Sequence, residues 1–310
     1  MPPWILTSPS SRGLGLALTR HLLRSTTLPI IATARRSPAE TRHDILRDLD
    51  LGGGDDDDGG VRHEQERQRA ADRLTVLRLD VTDESSILAA AAQTQDLFPR
   101  QNPGNYLSLA FVVPGILVAP EKTPAQIDAA NTLETLQTNL VGPMLMVKHF
   151  APFLPTKRTV YLSSSSSSAN NNDNNNINNG TPPEPAPAPA VWATMSARVG
   201  SITDNRLGGW YAYRVSKAGV NQLTKTFDVH LRNVAGPRAM AVALHPGTVK
   251  TGLSRRFWGG AEQRGQLSGA EEAAARLVDV VEGLREAGRE GGVEGARGRC
   301  WDWRGVEVPP

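Results

Sequence analysis

The chain has 310 residues, with 34 Lys plus Arg against 32 Asp plus Glu and a formal net charge of +2. A balance this even excludes the broad basic face by which a protein holds nucleic acid or an anionic membrane. The single cysteine, Cys300, excludes a disulfide scaffold, and no apolar run is long enough to span a membrane.

The opening residues, MPPWILTSPSSRGLG, enter an apolar run with no basic segment before it, which is not the pattern of a signal peptide. A cytoplasmic protein is expected. Trp4–Thr7 is the first strand candidate, followed by Ser8-Pro9-Ser10-Ser11 and, after Gly13-Leu14-Gly15, by a helix-prone run containing Leu16, Leu18, Leu22 and Leu23. Ile30–Ala34 is the second strand, stopped by Arg35-Arg36. A polar stretch at about 51–72, headed by LGGGDDDDGG, reads as a disordered surface insertion. Leu74–Val81 is the third strand, Ser85–Phe98 an alanine-rich helix, and Leu107–Val113 the fourth strand, broken by Pro114-Gly115.

From Ala129 to Leu154 a helical period runs through Leu133, Leu136, Leu140, Met144 and Val147. A second insertion, at about 163–189, is serine, then asparagine, then Pro/Ala, and has too few apolar side chains to offset its ordering entropy. Thr159–Leu162 and Val191–Met195 compete for the fifth strand, and the second is preferred because it runs directly into the chemistry described next. Lys217–Arg232 is an amphipathic helix with Val220, Leu223, Phe227 and Leu231 on one face, and Met240–Leu244 is the sixth strand. Short apolar strands alternating with helices predict one domain over 1–310: a doubly wound, Rossmann-like α/β fold with helices on both faces of a parallel sheet.

The main chemical signal is Tyr213-Arg-Val-Ser-Lys217. Four residues apart on a helix, the phenol and the ammonium share a face, and a cation beside a phenol favours phenolate. A tyrosine so tuned serves as general acid and base toward a carbonyl oxygen. The same pair on an exposed helix would mean nothing, so its context decides. Ser8–Gly15 lies between the first strand and first helix, where backbone N–H groups meet phosphate. Asp80-Val81, Asn139 and Pro246-Gly247-Thr248-Val249-Lys250-Thr251 each follow a strand, on the edge where open α/β sheets bind ligands. The six histidines show no metal-ligand spacing, and no metal is expected. Trp210 and Tyr211, next to Tyr213, read as candidate walls of a substrate pocket. Trp301 and Trp303 read as packing or an oligomer contact.

With these motifs the chain resembles the short-chain dehydrogenases/reductases, and most specifically their sniffer/C-factor-like carbonyl reductase branch, along the whole of Ser196–Lys217. The resemblance implies an NADP(H)- or NAD(H)-dependent oxidoreductase acting on a small carbonyl or alcohol, with Tyr213 as acid/base. It implies Lys217 on the nicotinamide ribose and lowering the Tyr213 pKa, and Asn139 holding a relay water. It further implies cofactor contacts from Ser8, Ser10, Ser11, Arg12, Gly13, Leu14, Gly15, Arg35, Asp80, Val81, Val113, Gly115, Pro246, Gly247, Val249 and Thr251, and a homo-oligomer through helices that include Tyr213–Arg232.

Three positions depart from the family pattern. Ser8-Pro9 replaces the usual Thr-Gly, and proline offers no N–H. Val112-Val113-Pro114-Gly115 replaces Asn-Asn-Ala-Gly. Ala197 stands where the catalytic serine is expected, leaving Ser201, Ser196, or neither, to orient the substrate, with Ser201 favoured. These departures motivate an alternative, a dinucleotide-binding protein weakened in catalysis. For the cofactor, Arg35, Arg36 and Arg12 in place of an acidic residue after the second strand favour the 2′-phosphate of NADP(H) over a ribose diol.

Overall fold

A computed structural model describes residues 3–47, 49, 59–161, 187–263 and 265–310. The described chain runs β1 (Trp4–Ser8), α1 (Gly13–Ser25), β2 (Ile30–Ala34), α2 (Pro38–Arg47), α3 (Gly59–Arg73), β3 (Leu74–Arg78), α4 (Glu84–Leu97) and β4 (Leu107–Val112). It continues with α5 (Ala129–Leu136), a π-turn over Gln137–Val141, α6 (Gly142–Phe150), β5 (Ala190–Met195) and α7 (Tyr211–Ala235). After β6 (Ala239–His245) come β7 (Thr248–Val249), α8 (Trp258–Gln263), β8 (Leu267–Ser268), α9 (Ala270–Ala287), α10 (Val293–Ala296), β9 (Cys300–Asp302) and β10 (Glu307–Val308).

The main sheet has eight strands in the order β10-β9-β6-β5-β4-β1-β2-β3, parallel except for the β10 edge. Strands β1, β2, β4 and β5 are buried along their whole length, as an apolar strand covered on both faces must be. Their side chains feed two cores. Ile5, Phe111, Val191 and Val242 pack on one face against Leu18 and Leu22 of α1 and Leu277 and Val281 of α9. On the other face Trp4, Leu6, Ala110 and Trp192 pack against Ile87 of α4, Met146 of α6 and Phe227 of α7. The chain passes outward from β1 to β2 and β3 and then crosses back to β4, so the strand order reverses between β1 and β4. That reversal opens a crevice at the C-terminal edge of the sheet.

All six predicted parallel strands are present, and the fifth is the Val191–Met195 segment rather than Thr159–Leu162. Residues 51–58 lie outside the described residues, but the expectation of a disordered insertion over 51–72 fails from Gly59 onward, because Gly59–Arg73 is helical. Arg73 explains the anchoring of its end: its guanidinium donates to the carbonyls of Leu23, Thr26 and Leu28. The second insertion falls largely outside the described residues, whose account resumes at 187. No helix among the described residues is long and apolar enough to cross a membrane.

Candidate active site

The glycine loop is built from its buried hydroxyls. Ser10, Thr7 and Thr19 form a closed cluster at 2.8–3.0 Å, and Ser8 accepts a hydrogen bond from Thr33 of β2 at 2.8 Å. Ser8 and Ser10 thus turn their side chains into the protein and hold the loop from behind. Ser11 and Arg12 are exposed. Gly13 has φ +57°, and a Cβ on it would lie 3.3 Å from Thr251, which brings the glycine loop against the segment after β7. Gly15 is held closer still: a Cβ there would be 1.8 Å from the Pro9 carbonyl oxygen and 3.3 Å from Val113. Leu14 is half-buried against the core.

The remaining predicted cofactor residues converge on the same edge. Val113 N donates to Ser8 O at 2.7 Å, joining β4 to β1 at the crevice. The Asp80 carboxylate is occupied by the backbone and hydroxyl of Thr82 at 3.0 and 2.7 Å. Val81 packs so tightly on Gly142 that a Cβ there would lie 2.8 Å from the Val81 carbonyl oxygen. Pro246 and Gly247 form a turn with Gly247 at φ +75°, its open face filled by the Trp303 indole. Trp303 is itself flanked by the Arg276 and Arg304 guanidinium groups at 4.5 and 5.4 Å, so it is a packing residue of this turn. Val249 is buried and Thr251 half-buried. Arg35 and Arg36 are exposed just beyond β2, and the Ser10 N to Thr33 O bond of 2.7 Å draws the glycine loop, with Arg12, to that strand end.

Tyr213 and Lys217 both lie in the first turns of α7 and are buried. Lys217 Nζ donates to the Met195 carbonyl at 2.8 Å and lies 5.7 Å from the centroid of the Tyr213 ring. Burial pushes the Lys217 ammonium down to about 8, because an apolar surrounding disfavours its charge. Burial also pushes the Tyr213 phenol up to about 12. Desolvation is the cause of that rise, since a buried phenol resists ionisation. The Tyr213 hydroxyl has no hydrogen-bond partner among the described residues.

Asn139 sits in the π-turn between α5 and α6, a device common where a helix must present a functional side chain. Its amide accepts from Ile116 N at 2.8 Å and donates to Ile116 O at 3.0 Å and Ser216 Oγ at 3.2 Å. Ser216 in turn donates to Tyr213 O at 2.7 Å. Asn139 thereby ties the turn after β4 to α7, and it places Gly115 where a Cβ would lie 3.9 Å from Lys217 Nζ and 3.6 Å from Leu253.

Neither candidate serine is bonded to Tyr213. Ser196 donates to Asn221 Oδ1 at 2.6 Å and to Lys217 O at 3.3 Å. Ser201 donates to Pro310 O at 3.3 Å and accepts from Asp204 N at 3.0 Å. Ala197, between them, caps a single 3-10 turn. His245 ends β6 with its Nδ1 buried and without a partner, and burial together with Arg198 holds its pKa down at about 4. Ser216, Glu121 and Phe257 contact Asn139, Ala212 and Trp210 respectively, and sequence motifs do not announce them; the last two belong to loops with no readable pattern.

The glycine loop is packed tightly onto Pro9, Val113 and Thr251, Gly115 lies beside Lys217, and Arg12, Arg35 and Arg36 are exposed near the end of β2. This arrangement fits a dinucleotide whose phosphates lie on the glycine loop.

No family model matches the chain. A curated relative, 1-hydroxy-2-glutathionyl-2-methyl-3-butene dehydrogenase of Rhodococcus sp. (strain AD45), is 26% identical over 206 residues, which is 66% of this chain and 70% of that protein. The carbonyl reductase Sniffer of D. melanogaster superposes with a TM-score of 0.68 at 23% identity, over 100% of this chain and 99% of that one. The NADPH-bound carbonyl reductase from chicken fatty liver superposes with a TM-score of 0.67 at 22% identity, over 99% and 98% of the two chains.

Proposed function

We propose, from the premise that this chain has the fold of the short-chain dehydrogenases/reductases and resembles their Sniffer-like branch, that it is an NADP(H)-dependent oxidoreductase acting on small carbonyls or alcohols. The observation that carries this reading is that Lys217, one turn from Tyr213 on α7 and 5.7 Å from its ring, lies beside Gly115 just after β4, where the strand order reverses. When bound, NADP(H) supplies or takes up the hydride. Tyr213 gives its phenolic proton to the carbonyl oxygen in reduction and takes it back in oxidation. Lys217 holds the ribose and stabilises the developing phenolate. Asn139 braces the Ile116 turn and holds the water of a relay through Lys217. Arg12, Arg35 and Arg36 take the 2′-phosphate, in keeping with the NADPH bound by the chicken reductase.

The protein is read as cytoplasmic, without a nucleic-acid partner, and as a homo-oligomer. An apolar groove of about 550 Å³ between α6 and α7, lined by Val147, Leu154, Leu223 and Phe227, supports the last point. A second reading, a dinucleotide sensor with little turnover, rests on Ala197 and on the engagement of Ser196 and Ser201 elsewhere. Titration with NADPH and NADH, followed by NADPH consumption on aldehydes, ketones and quinones, separates the two. NADPH binding with turnover supports the enzyme, and binding without turnover supports the sensor. Absence of binding contradicts both.

A further inference from the structure

Three successive residues before Tyr211 occupy the left-handed region: Gly208 (φ +63°), Gly209 (φ +66°) and Trp210 (φ +55°). Two are glycines, which adopt it freely. The third is among the bulkiest side chains available, and such residues rarely adopt it without a compensating reason. The surroundings hold Trp210 there from two sides. Its N–H donates to Glu121 O at 2.6 Å, and the Glu121 carboxylate, itself buried, accepts from Ala212 N at 3.3 Å while its other oxygen has no partner. Arg214 clamps the same turn from the helix, donating to Gly209 O at 3.0 Å, Gly208 O at 3.2 Å and Val199 O at 3.2 Å.

What this arrangement fixes is an indole. The Trp210 ring stands edge-on to Tyr213 with centroids 6.0 Å apart and 72° between planes. It also contacts Phe257, from the segment after β7, with centroids 4.8 Å apart. Trp210 thus contacts both the Tyr213 ring and the Phe257 ring, and the phenol has an indole as its aromatic neighbour. A carbonyl that accepted from the Tyr213 hydroxyl would lie near the Trp210 indole.

Resting on the oxidoreductase reading above, we propose that Trp210 is a specificity-determining residue that selects carbonyls bearing a flat apolar substituent, and that Glu121 and Arg214 are its positioning residues. Ring-on-ring contact rewards a planar substituent over a flexible chain of similar size.

The test compares an aromatic aldehyde with an unbranched aliphatic aldehyde by kcat/KM, in wild type, Trp210→Gly and Trp210→Phe. Glycine suits the left-handed backbone, so Trp210→Gly folds cooperatively, as a thermal melt checks, and it leaves NADPH affinity unaltered. The aromatic-to-aliphatic ratio falls roughly three- to tenfold in Trp210→Gly and is largely retained in Trp210→Phe. In Glu121→Ala the ratio falls, and Glu121→Gln, which keeps an acceptor for Ala212 N, restores it. A wild-type ratio retained in folded Trp210→Gly overturns the proposal while leaving the oxidoreductase reading intact. Wild-type protein that binds NADPH yet reduces no carbonyl overturns that reading, and the proposal with it.

Discussion

Beneath the helix that carries Tyr213 lies a buried ion pair whose removal should be costly. Arg297 Nε contacts both Asp228 oxygens, at 2.8 and 3.0 Å, and the two side chains are 1% and 0% exposed. Asp228 also accepts from Ala241 N at 3.0 Å, and Arg297 donates to the carbonyls of Gly236 and Ala239 at 3.1 and 3.2 Å. The pair therefore joins α7 to β6 and to the residue after α10. Asp228→Ala leaves a guanidinium without its counter-charge and the Ala241 N–H without its acceptor. Breaking such a pair costs about 3–5 kcal/mol, a large share of the ~5–15 kcal/mol that a folded domain has. At roughly 2–4 °C per kcal/mol, the midpoint should fall by on the order of 10 °C. Asp228→Leu combined with Arg297→Met removes both charges and should cost less than Asp228→Ala alone. Urea unfolding followed by tryptophan fluorescence measures both. A loss below ~1 kcal/mol in the single variant, or a double variant worse than the single, would refute the assignment of this pair as a linchpin of α7.

Gly15→Ala places a methyl group 1.8 Å from the Pro9 carbonyl oxygen, so the glycine loop must shift; NADPH affinity measured by nucleotide fluorescence should fall at least ~tenfold, by analogy with other sub-contact insertions. Lys217→Met should abolish turnover without lowering the melting temperature at pH 7. The buried amine, pushed down to about 8 from 10.5, makes the unfolded chain bind more protons between those values, so wild-type stability rises with pH across that window and methionine removes the penalty below it. For His245, pushed down to about 4 from 6.5, the unfolded chain again binds more protons between the two values. Stability should therefore decline as pH falls from 6.5 toward 4, and denaturation of His245→Gln should show a shallower decline.

The parallel sheet was legible because each buried strand is a compact β-branched or apolar run bounded by turn residues, as in Ile30–Ala34 and Leu107–Val112. The C-terminal edge was not. Cys300–Asp302 and Glu307–Val308 are too short to carry a period, and α9, read from no motif, buries only the Ala273, Ala274, Leu277, Val278 and Val281 stripe of an otherwise charged helix. The run from Ala129 to Leu154 looks like one helix, since a π-turn inserts no residue type of its own; the turn is visible only where Asn139 reaches Ile116.

At the site, spacing placed Tyr213 and Lys217 on one helix but said nothing of the Met195 carbonyl that accepts a hydrogen bond from the lysine. Likewise, Ser8 and Ser10 carry the residue type of a phosphate loop, yet their neighbours Thr7, Thr19 and Thr33 turn both hydroxyls inward. Residue types fix which bonds are available, and the packing of distant segments decides which are made.

The most direct measurement is the turnover of Tyr213→Phe with NADPH on a carbonyl that the wild-type protein reduces, together with its NADPH affinity. If Tyr213 is the proton donor, kcat falls by ~10²–10⁴-fold while NADPH binding is unchanged, because the hydroxyl has no hydrogen bond among the described residues to lose. A variant that keeps kcat within about threefold of wild type, far from the range for a lost general acid, would contradict the account.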